Sequence, residues 1–406
     1  MKINGKYLGI VAAMCGLSAA TVGLITNVAG LFFGPMAEEF GVMQGAASLT
    51  LTIANVCMAV GGLFTRRLTK AMPLRVLLVA GVVLLAGSSA LTALAPSIAV
   101  VYAASAVKGF AAGVIGFVLI TYVLGKWFQA QLGIATSMAM GCSGLAGAIF
   151  SPLIQGVVAG MGWRAGQLLV AALMVVFTLP AILLVPSCDP ADSGLLPYGA
   201  DGSQAKAVTT SKKKADKVSV DKLVFIAVVV YSGLCAAVSA LPQHFPGMAG
   251  VAGLGASVGA TMISMCMITN TAGKILMGWL CDRIGARASI LAYTALTAVA
   301  IVVLLLVPAA TPYIVAALVS GLCYSLATVG LTMLCNELFG RRGSGIVYPV
   351  GAMACSLSNA VFSSVIGFAY DLTGGYAVML VAFVAFLVAA DMLVLWGYRR
   401  TAATTA

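Results

Sequence analysis

The sequence predicts an all-α membrane protein with twelve transmembrane helices in two pseudo-symmetric six-helix bundles. Of its 406 residues, 62% are hydrophobic and 8% are charged, whereas an average soluble domain carries about 25% charged residues. Because no single soluble core could bury that much apolar surface, a soluble globular enzyme and a disordered chain are both excluded. A membrane span needs about 20 apolar residues, and this chain holds enough of them for about twelve spans.

The apolar runs form two sets of six expected spans. The first set lies near residues 7–33, 45–65, 74–95, 98–124, 130–160 and 166–186. The second set lies near residues 222–245, 252–280, 288–308, 312–336, 345–370 and 375–398. The run from Tyr7 exceeds the core of a signal peptide, about 7–15 residues, so it is interpreted as a retained first span.

A polar stretch between the two sets divides the chain into three parts. These parts are an N-terminal bundle (1–186), a linker (187–221) and a C-terminal bundle (222–406). The linker contains Lys212, Lys213 and Lys214, and its composition is typical of a solvated cytoplasmic tether. A docking or lipid-contact role is the alternative.

The basic residues predict the orientation of the chain. Nineteen of the 22 lysines and arginines fall in segments expected on one side if both termini are cytoplasmic, in agreement with the positive-inside rule. They are Lys2, Lys6, Arg66, Arg67, Lys70, Arg75, Lys126, Lys206, Lys212, Lys213, Lys214, Lys217, Lys222, Arg283, Arg287, Arg341, Arg342, Arg399 and Arg400. The net charge of +11 is therefore attributed to cytoplasmic loops, and we expect no nucleic-acid partner. The expected location is the plasma (inner) membrane.

The sequence offers no catalytic or metal-binding pattern. The ten cysteines form no C-x-x-C pair, and most lie in apolar stretches as small hydrophobic residues. His244 is the single histidine, so a histidine metal site or triad is excluded, and we expect no cofactor and no enzyme activity. His244, near the outer end of span seven, is interpreted as an interfacial polar tip or as a gating or pH-sensing group.

The two halves repeat each other, which is typical of a carrier that alternates between two faces of the membrane. Gly62-Leu-Phe-Thr-Arg-Arg after span two matches Gly278-Trp-Leu-Cys-Asp-Arg after span eight, and Lys126-Trp-Phe matches Glu337-Leu-Phe after spans four and ten. Gly162-Trp and Gly375-Tyr follow spans five and eleven. A carrier of this type binds its substrate near the membrane midplane, between the halves.

These residues resemble the major facilitator superfamily over essentially the whole chain. Gly278-x-x-x-Asp282-Arg283-x-Gly285-x-Arg287 is similar to its cytoplasmic loop signature, which implies a gating role for Asp282, Arg283 and Arg287. Asp282 could face the N-terminus of span five, where unpaired N–H groups favour an anion. The first-half copy has Arg66 where the signature has aspartate.

Three further segments resemble the oxalate/formate-antiporter and monocarboxylate-transporter branches. They are Gly133-Ile-Ala to Gly162-Trp-Arg around span five, Asp371-Leu-Thr-Gly-Gly-Tyr376 after span eleven, and Phe33-Gly-Pro-Met-Ala-Glu-Glu-Phe-Gly41 after span one. Gly141, Gly144 and Gly147 in the first segment also permit close helix packing.

Two lysines inside apolar spans are the main candidate binding residues. A lysine in mid-bilayer costs at least about 2.5 kcal/mol, so Lys274 and Lys108 need either an anionic ligand, a buried acid or a path for snorkelling. The acids within or at the rim of the spans are Asp391 and Glu337, and neither is an obvious partner. We therefore expect the two ammonium groups to bind a substrate carboxylate.

The resemblance supports Lys274, because carboxylate carriers of these branches place a basic residue before Gly-x-x-x-Asp-Arg. Proton-coupled relatives carry an aspartate one turn earlier, where this chain has Asn270. This difference favours anion exchange or facilitated passage over proton symport. Further candidate binding residues, each equally able to bond a neighbouring helix, are Asn27, Tyr231, Tyr324, Tyr348 and Asn359.

The expected protein is thus a secondary transporter of small organic anions, mono- or dicarboxylates, in the lipid bilayer, and the resemblance to the major facilitator superfamily implies a functional monomer. The alternatives are an exporter of drugs or apolar metabolites on the same fold, and a membrane sensor without transport activity that signals through the linker.

Overall fold

The computed structural model describes residues 5–129, 131–199 and 221–405, and it forms helices and no β-strand within these ranges. The first half holds α1 (Gly5–Ser18), α2 (Gly30–Phe40), α3 (Gln44–Ala71), α4 (Leu74–Ala93), α5 (Ile98–Ile115), α6 (Phe117–Trp127) and α7 (Leu132–Leu184). The second half holds α8 (Lys222–Val238), α9 (Phe245–Val251), α10 (Ala256–Leu306), α11 (Ala310–Ser320), α12 (Cys323–Ser325), α13 (Leu331–Thr373) and α14 (Ala377–Thr405).

The described residues contain ten helical stretches long and apolar enough to cross a membrane, and two of them have twice the necessary length. Ile134–Leu184 and Ala256–Leu306 have 51 residues each. Each is interrupted by a glycine with positive φ, Gly162 at 84° and Gly285 at 84°, a conformation that strains other residues. Divided at these two glycines, the described residues hold twelve helical stretches of span length, and the predicted all-α membrane fold is confirmed.

The described residues form two compact units, whose boundaries differ from the two sequence halves. The first unit comprises residues 5–27, 53–147 and 157–199. The second comprises residues 28–52, 148–156 and 221–405. The second unit thus includes the end of the first span and the start of the second span, residues 28–52. The division into bundles at residues 186 and 221 stays a prediction.

In the first unit, glycines on α5 allow the backbones of α3 and α5 to meet. A Cβ added at Gly109 would lie 2.0 Å from the carbonyl oxygen of Ala54, and one added at Gly113 would lie 2.0 Å from that of Met58. Helices in lipid gain contact by such close approach, since lipid tails are as apolar as the side chains they would replace. These two glycines fix α5, the helix that carries Lys108, against α3.

Arg164 holds the turn that follows α4. Its guanidinium donates to the carbonyl oxygen of Ala93 at 2.6 Å and to that of Ala95 at 2.9 Å. The last carbonyls of a helix lack intrahelical donors and attract cations. The one basic residue expected on the face opposite the basic loops therefore has a structural partner.

We expect Arg164→Gln to destabilise the protein by about 1–3 kcal/mol, because two charge-assisted hydrogen bonds are lost and two carbonyls lose their donor. The unfolding temperature in detergent measures this effect. Arg164→Lys should retain part of the stability, since one ammonium can serve one of the two carbonyls. Equal unfolding temperatures for the wild type and Arg164→Gln would contradict this role.

The first part of the predicted tether is docked on the first unit. Tyr198 exchanges backbone hydrogen bonds with Trp127 and Gln129, at 2.8 and 3.0 Å, and Lys126 forms an ion pair with Asp189 at 3.1 Å. Tyr7 donates to the carbonyl oxygen of Leu196 at 2.7 Å. The tether interpretation is therefore wrong for residues 187–199. The basic run Lys212-Lys213-Lys214 lies outside the described residues.

In the second unit, α8 packs against α13 and α14, and α10 packs against α11 and α14. Asp221 caps α8 by accepting from the backbone N–H of Leu223 at 2.9 Å and joins it to the end of α14 through Arg400 at 2.7 Å. The hydrogen bond from Arg400 and the bond from the Leu223 N–H hold the pKa of Asp221 below its ordinary value.

Candidate substrate site

Four of the twelve spans are not continuous α-helices. The first contains the π-helical segment Ala19–Asn27, and the fourth breaks at Gly116 between α5 and α6. The seventh changes to a 3₁₀ turn at Leu241–His244, and the tenth passes through α12 into the π-helical segment Leu326–Gly330. These are equivalent spans in the two halves, since one and four in the first half correspond to seven and ten in the second.

Local sequence explains these interruptions. Pro242 and Pro246 lack the N–H that a continuous helix requires. At Gly321, an added Cβ would lie 2.3 Å from the carbonyl oxygen of Cys266, so the chain approaches α10 too closely for any other residue. Helix breaks and π segments expose backbone groups that a regular helix would use, and paired interruptions in the two halves mark substrate sites in transporters.

Lys274 and Asn270 lie one turn apart on α10, beside the interrupted tenth span. Lys274 is half-buried, and Asn270 is 5% exposed. A Cβ added at Gly273 would lie 3.1 Å from the Ser325 Oγ, so α12 passes directly over this turn. The carbonyl of Gly273 accepts from the hydroxyl of Tyr293 at 2.9 Å, which positions the turn from its other side.

Several buried polar atoms around this turn lack a hydrogen-bond partner among the described residues. They are Asn270 Oδ1, Tyr324 OH, Ser325 Oγ and Gln243 Oε1. Tyr324 lies beside Gln243, which belongs to the 3₁₀ turn of span seven. Buried polar groups are nearly always paired with protein, water or ligand. We refer to Gln243, Asn270, Lys274, Tyr324 and Ser325 as the polar cluster. Gln243 and Ser325 were not among the candidate residues predicted from the sequence.

Lys108 is the more deeply buried lysine, at 8% exposed, and it belongs to the first unit. It lies one residue before Gly109, the first glycine of α5 that meets α3, and two turns before the break at Gly116. No ion pair or hydrogen bond of its ammonium group is found within the described ranges. The same holds for Lys274, so both intramembrane cations lack a counter-ion in this part of the chain.

The two acids considered as lysine partners are used elsewhere. Both carboxylate oxygens of Asp391 accept from the Thr294 hydroxyl, at 2.7 and 2.9 Å. Glu337 accepts from the backbone N–H of Ala286 at 2.7 Å and from the Tyr398 hydroxyl. Glu337 thereby caps the second helical part of α10, which begins after Gly285. Neither acid neutralises a lysine.

The remaining candidate binding residues have helix-to-helix contacts or none. Asn27 donates to the carbonyl oxygen of Ser143 at 2.8 Å, and Asn359 donates to Ser239 Oγ at 3.0 Å. Tyr231 is fully buried and donates to the carbonyl oxygen of Leu326 at 3.4 Å, which supports the π segment of span ten. Tyr348 is exposed. The polar cluster therefore collects Lys274, Asn270 and Tyr324 but not these four residues.

The candidate gating residues lie at the ends of helices. Asp282 is exposed and has no hydrogen bond or ion pair within the described part of the chain. Arg283 stacks on Trp279 at 5.0 Å, and the Arg287 guanidinium lies 6.0 Å from the ring centre of Tyr398. Arg66 is exposed. In the second unit, the helical part of α10 that begins after Gly285 is capped by Glu337 and not by Asp282.

His244 is fully buried, against the expectation of an interfacial polar tip. Its Nε2 lies 2.8 Å from the carbonyl oxygen of Ser363, and its ring contacts Phe33 at 5.6 Å and Tyr376 at 6.0 Å. The expected interfacial position is therefore wrong, because span seven changes to the 3₁₀ turn Leu241–His244 and His244 is buried within the second unit. His244 therefore joins α2, α13 and the seventh span.

Twelve apolar crossings, paired helix interruptions and a buried polar cluster define a multi-pass membrane transporter. The chain belongs to the Major Facilitator Superfamily, whose family model matches residues 15–362.

Solved structures agree with this assignment of the fold. A bacterial homologue of the human lysosomal transporter Spinster, inward-facing and occupied, has 14% identity and a TM-score of 0.71, with 98% of each chain covered. The nucleoside transporter NupG has 10% identity and a TM-score of 0.74, with 96% of this chain and 100% of NupG covered. Among curated proteins no sequence match is found. At these identities the likeness concerns the fold alone.

Proposed function

We propose that the protein transports small organic anions, mono- or dicarboxylates, across the plasma membrane as a monomer with both termini in the cytoplasm. The observation that carries this proposal is the pair of intramembrane cations, Lys274 and Lys108, without a counter-ion in the described residues. An uncompensated ammonium group in a span costs at least about 2.5 kcal/mol, and a bound carboxylate offsets that cost.

The polar cluster supplies what a carboxylate requires. Lys274 provides the charge, and the hydroxyl groups of Tyr324 and Ser325 can donate to a carboxylate oxygen. Asn270 and Gln243 can hydrogen-bond the remaining part of the substrate through their amides. Neutralisation of the lysine by substrate lowers the cost of closing the site, which couples occupancy to the change between the two faces.

The transport mode that fits these residues is exchange or facilitated passage. Asn270 lies one turn before Lys274. Proton-coupled members of the branches that this chain resembles carry an aspartate at that position. An amide, unlike a carboxylate, binds no proton near neutral pH. The segments quoted for the oxalate/formate-antiporter and monocarboxylate-transporter branches support the same substrate class.

Counterflow in proteoliposomes tests this proposal. Proteoliposomes that contain the purified protein are loaded with unlabelled organic acid. The uptake of a labelled mono- and dicarboxylate panel is then compared with that of lipophilic cationic dyes, with and without a pH gradient. We expect uptake of at least one carboxylate, independent of the gradient, and none of the dyes. Dye transport without carboxylate uptake would contradict the proposal and favour a drug exporter.

Asn270→Asp is expected to make uptake depend on pH. An ionised aspartate one turn from Lys274 competes with the substrate carboxylate for the ammonium group, and protonation of the aspartate releases that group. Uptake by the variant should therefore rise as pH falls, while wild-type uptake stays nearly constant.

Asn270→Ala is the matched control for this experiment. It removes the amide without adding a carboxyl group, so it should lower uptake and leave the pH profile flat. If uptake by Asn270→Asp does not change with pH and stays near the wild-type rate, Asn270 is not part of the binding site of Lys274.

A further inference from the structure

Residues 28–52 belong to the first half of the sequence but pack within the second unit. α2 contacts α9 and the 3₁₀ turn Leu241–His244. A Cβ added at Gly30 would lie 1.8 Å from the carbonyl oxygen of Gln243, so the backbones of spans one and seven touch there. The end of span one and the start of span two are thus held by helices of the second half.

Asp371, at the end of span eleven, clasps the first turn of α3. Its Oδ1 accepts from the backbone N–H of Gln44 at 3.0 Å, and its Oδ2 accepts from that of Gly45 at 2.7 Å. The first N–H groups of a helix have no partner within it and carry the positive end of its dipole. A carboxylate that takes two of them is a strong, orientation-specific contact.

Small residues bring α3 and α13 together directly beside this contact. A Cβ added at Gly45 would lie 2.4 Å from Phe368 Cδ1, and one added at Gly367 would lie 2.8 Å from the Gly45 Cα. Gln44 Nε2 donates to the Tyr376 hydroxyl at 2.9 Å. Two turns into α3, Thr52 donates to the carbonyl oxygen of Ala360 at 2.5 Å.

The position of this contact along α3 indicates which face of the membrane it closes. The helix has 28 residues, with Gln44 at its start and the basic residues Arg66, Arg67 and Lys70 near its end. At 1.5 Å per residue the helix is about 42 Å long and spans a bilayer. The Asp371 contact therefore lies on the face opposite the basic loops, which the positive-inside rule assigns to the outside.

We propose that Asp371, Gln44, Gly45, Gly367 and Tyr376 form an outer latch that closes the external face of the transporter. A carrier opens to that face when the outer ends of the first-half spans separate from those of the second half. Separation here breaks both carboxylate bonds to the α3 N-terminus and the glycine contact. The candidate gating residues lie elsewhere: Arg66 is near the other end of α3, and Asp282, Arg283 and Arg287 flank the interruption of α10 at Gly285. The latch is independent of which substrate is carried.

Hydrogen–deuterium exchange of the full chain in lipid nanodiscs, without substrate, tests the latch. Asp371→Ala should speed exchange about 10-fold or more in peptides covering residues 42–52 and 363–376. Exchange near residues 60–71, at the other end of α3, should not rise. Glu38→Ala removes an exposed acid near the end of α2, outside the five latch residues, and it should leave all three regions as in the wild type.

Two further variants separate loss of the latch from loss of folding. Asp371→Asn keeps the side-chain shape but loses the charge, so its exchange should lie between those of the wild type and Asp371→Ala. Gly367→Ala inserts a methyl group against Gly45 and should speed exchange at the same peptides, whereas Gly250→Ala, which has open space around it, should not. Unchanged exchange in Asp371→Ala and Gly367→Ala, or an increase spread over the whole chain in all three latch variants, would overturn the proposal.

Discussion

Replacing Lys274 by glutamine is expected to lower organic-anion counterflow about 100-fold, because truncating one partner of a buried charge pair costs about 2–5 kcal/mol. The substrate carboxylate would lose its cation, while the hydroxyl groups of Tyr324 and Ser325 would remain. Lys274→Arg should retain a substantial part of the activity, since the charge persists with a different geometry. Initial rates of labelled-acid counterflow measure both variants.

The control for Lys274→Gln is Lys222→Gln. Lys222 is exposed at the start of α8, outside the polar cluster, so the same chemical change there should leave transport within about two-fold of the wild type. Loss of activity in both variants would indicate a general effect of basic charge. Full activity of Lys274→Gln would contradict the assigned role.

Replacing Lys108 by methionine is expected to stabilise the protein and to lower the rate of transport. The substitution keeps an unbranched side chain, one heavy atom shorter, and removes a buried charge that lacks a counter-ion in the described residues. Since such a charge costs at least about 2.5 kcal/mol, the unfolding temperature should rise by several degrees. Counterflow should fall at least about 10-fold, because substrate loses the second cation.

These two opposite changes distinguish a functional lysine from a structural one. A lysine that bonds a neighbouring helix would lower the unfolding temperature on replacement, since its partner would be left unpaired. Val107→Met, at the exposed neighbouring position of α5, controls for the added methionine and should change neither quantity appreciably. A lower unfolding temperature with unchanged transport for Lys108→Met would remove Lys108 from the binding site.

Composition and charge were sufficient to predict the crossings and their ends. The breaks at Gly162 and Gly285 fall in segments that the sequence marks as loops, because charged or aromatic residues follow a glycine there. Their positive φ angles explain why glycine is required at each turn. Apolar runs of this length cross a membrane in any packing, so this part of the fold does not depend on distant contacts.

The interruptions within spans could not be predicted from hydropathy. Residues Ser239 to His244 fall within the predicted span 222–245, and hydropathy measures transfer to lipid rather than backbone hydrogen bonding. Pro242 and Pro246 were the available signal for the 3₁₀ turn. This turn brings Gln243 to Tyr324 and buries His244, two consequences that depend on contacts between distant parts of the chain.

Charge predicted Lys274, and the sequence also offered Asn270 and Tyr324 as candidates, but it did not predict Gln243 and Ser325. Lys274 was identified because a cation in a span is rare and costly. Ser325 and Gln243 have side chains that are common in helices, and their unpaired atoms become visible only when the neighbouring helices are in place. The latch is similar: Asp371 belongs to a segment noted for its resemblance, but its bonds to Gln44 and Gly45 join positions more than 300 residues apart.

The docked segment 187–199 illustrates the same limit on a smaller scale. Its composition is polar and rich in proline and aspartate, as in a tether. Its attachment depends on the backbone pairing of Tyr198 with Trp127 and Gln129 and on aromatic contacts of Tyr7 with Trp127 and Tyr198. The local sequence pattern does not predict backbone pairing between segments that are about 70 residues apart.

The central claim, that Lys274 binds the carboxylate of the substrate, is tested most directly by an experimental structure of the transporter with the transported acid bound. We expect a carboxylate oxygen within about 3 Å of the Lys274 Nζ, the distance of a charge-assisted hydrogen bond, with Tyr324 or Ser325 as a second donor. An acid bound elsewhere, with the Lys274 ammonium group directed to lipid headgroups, would contradict the account.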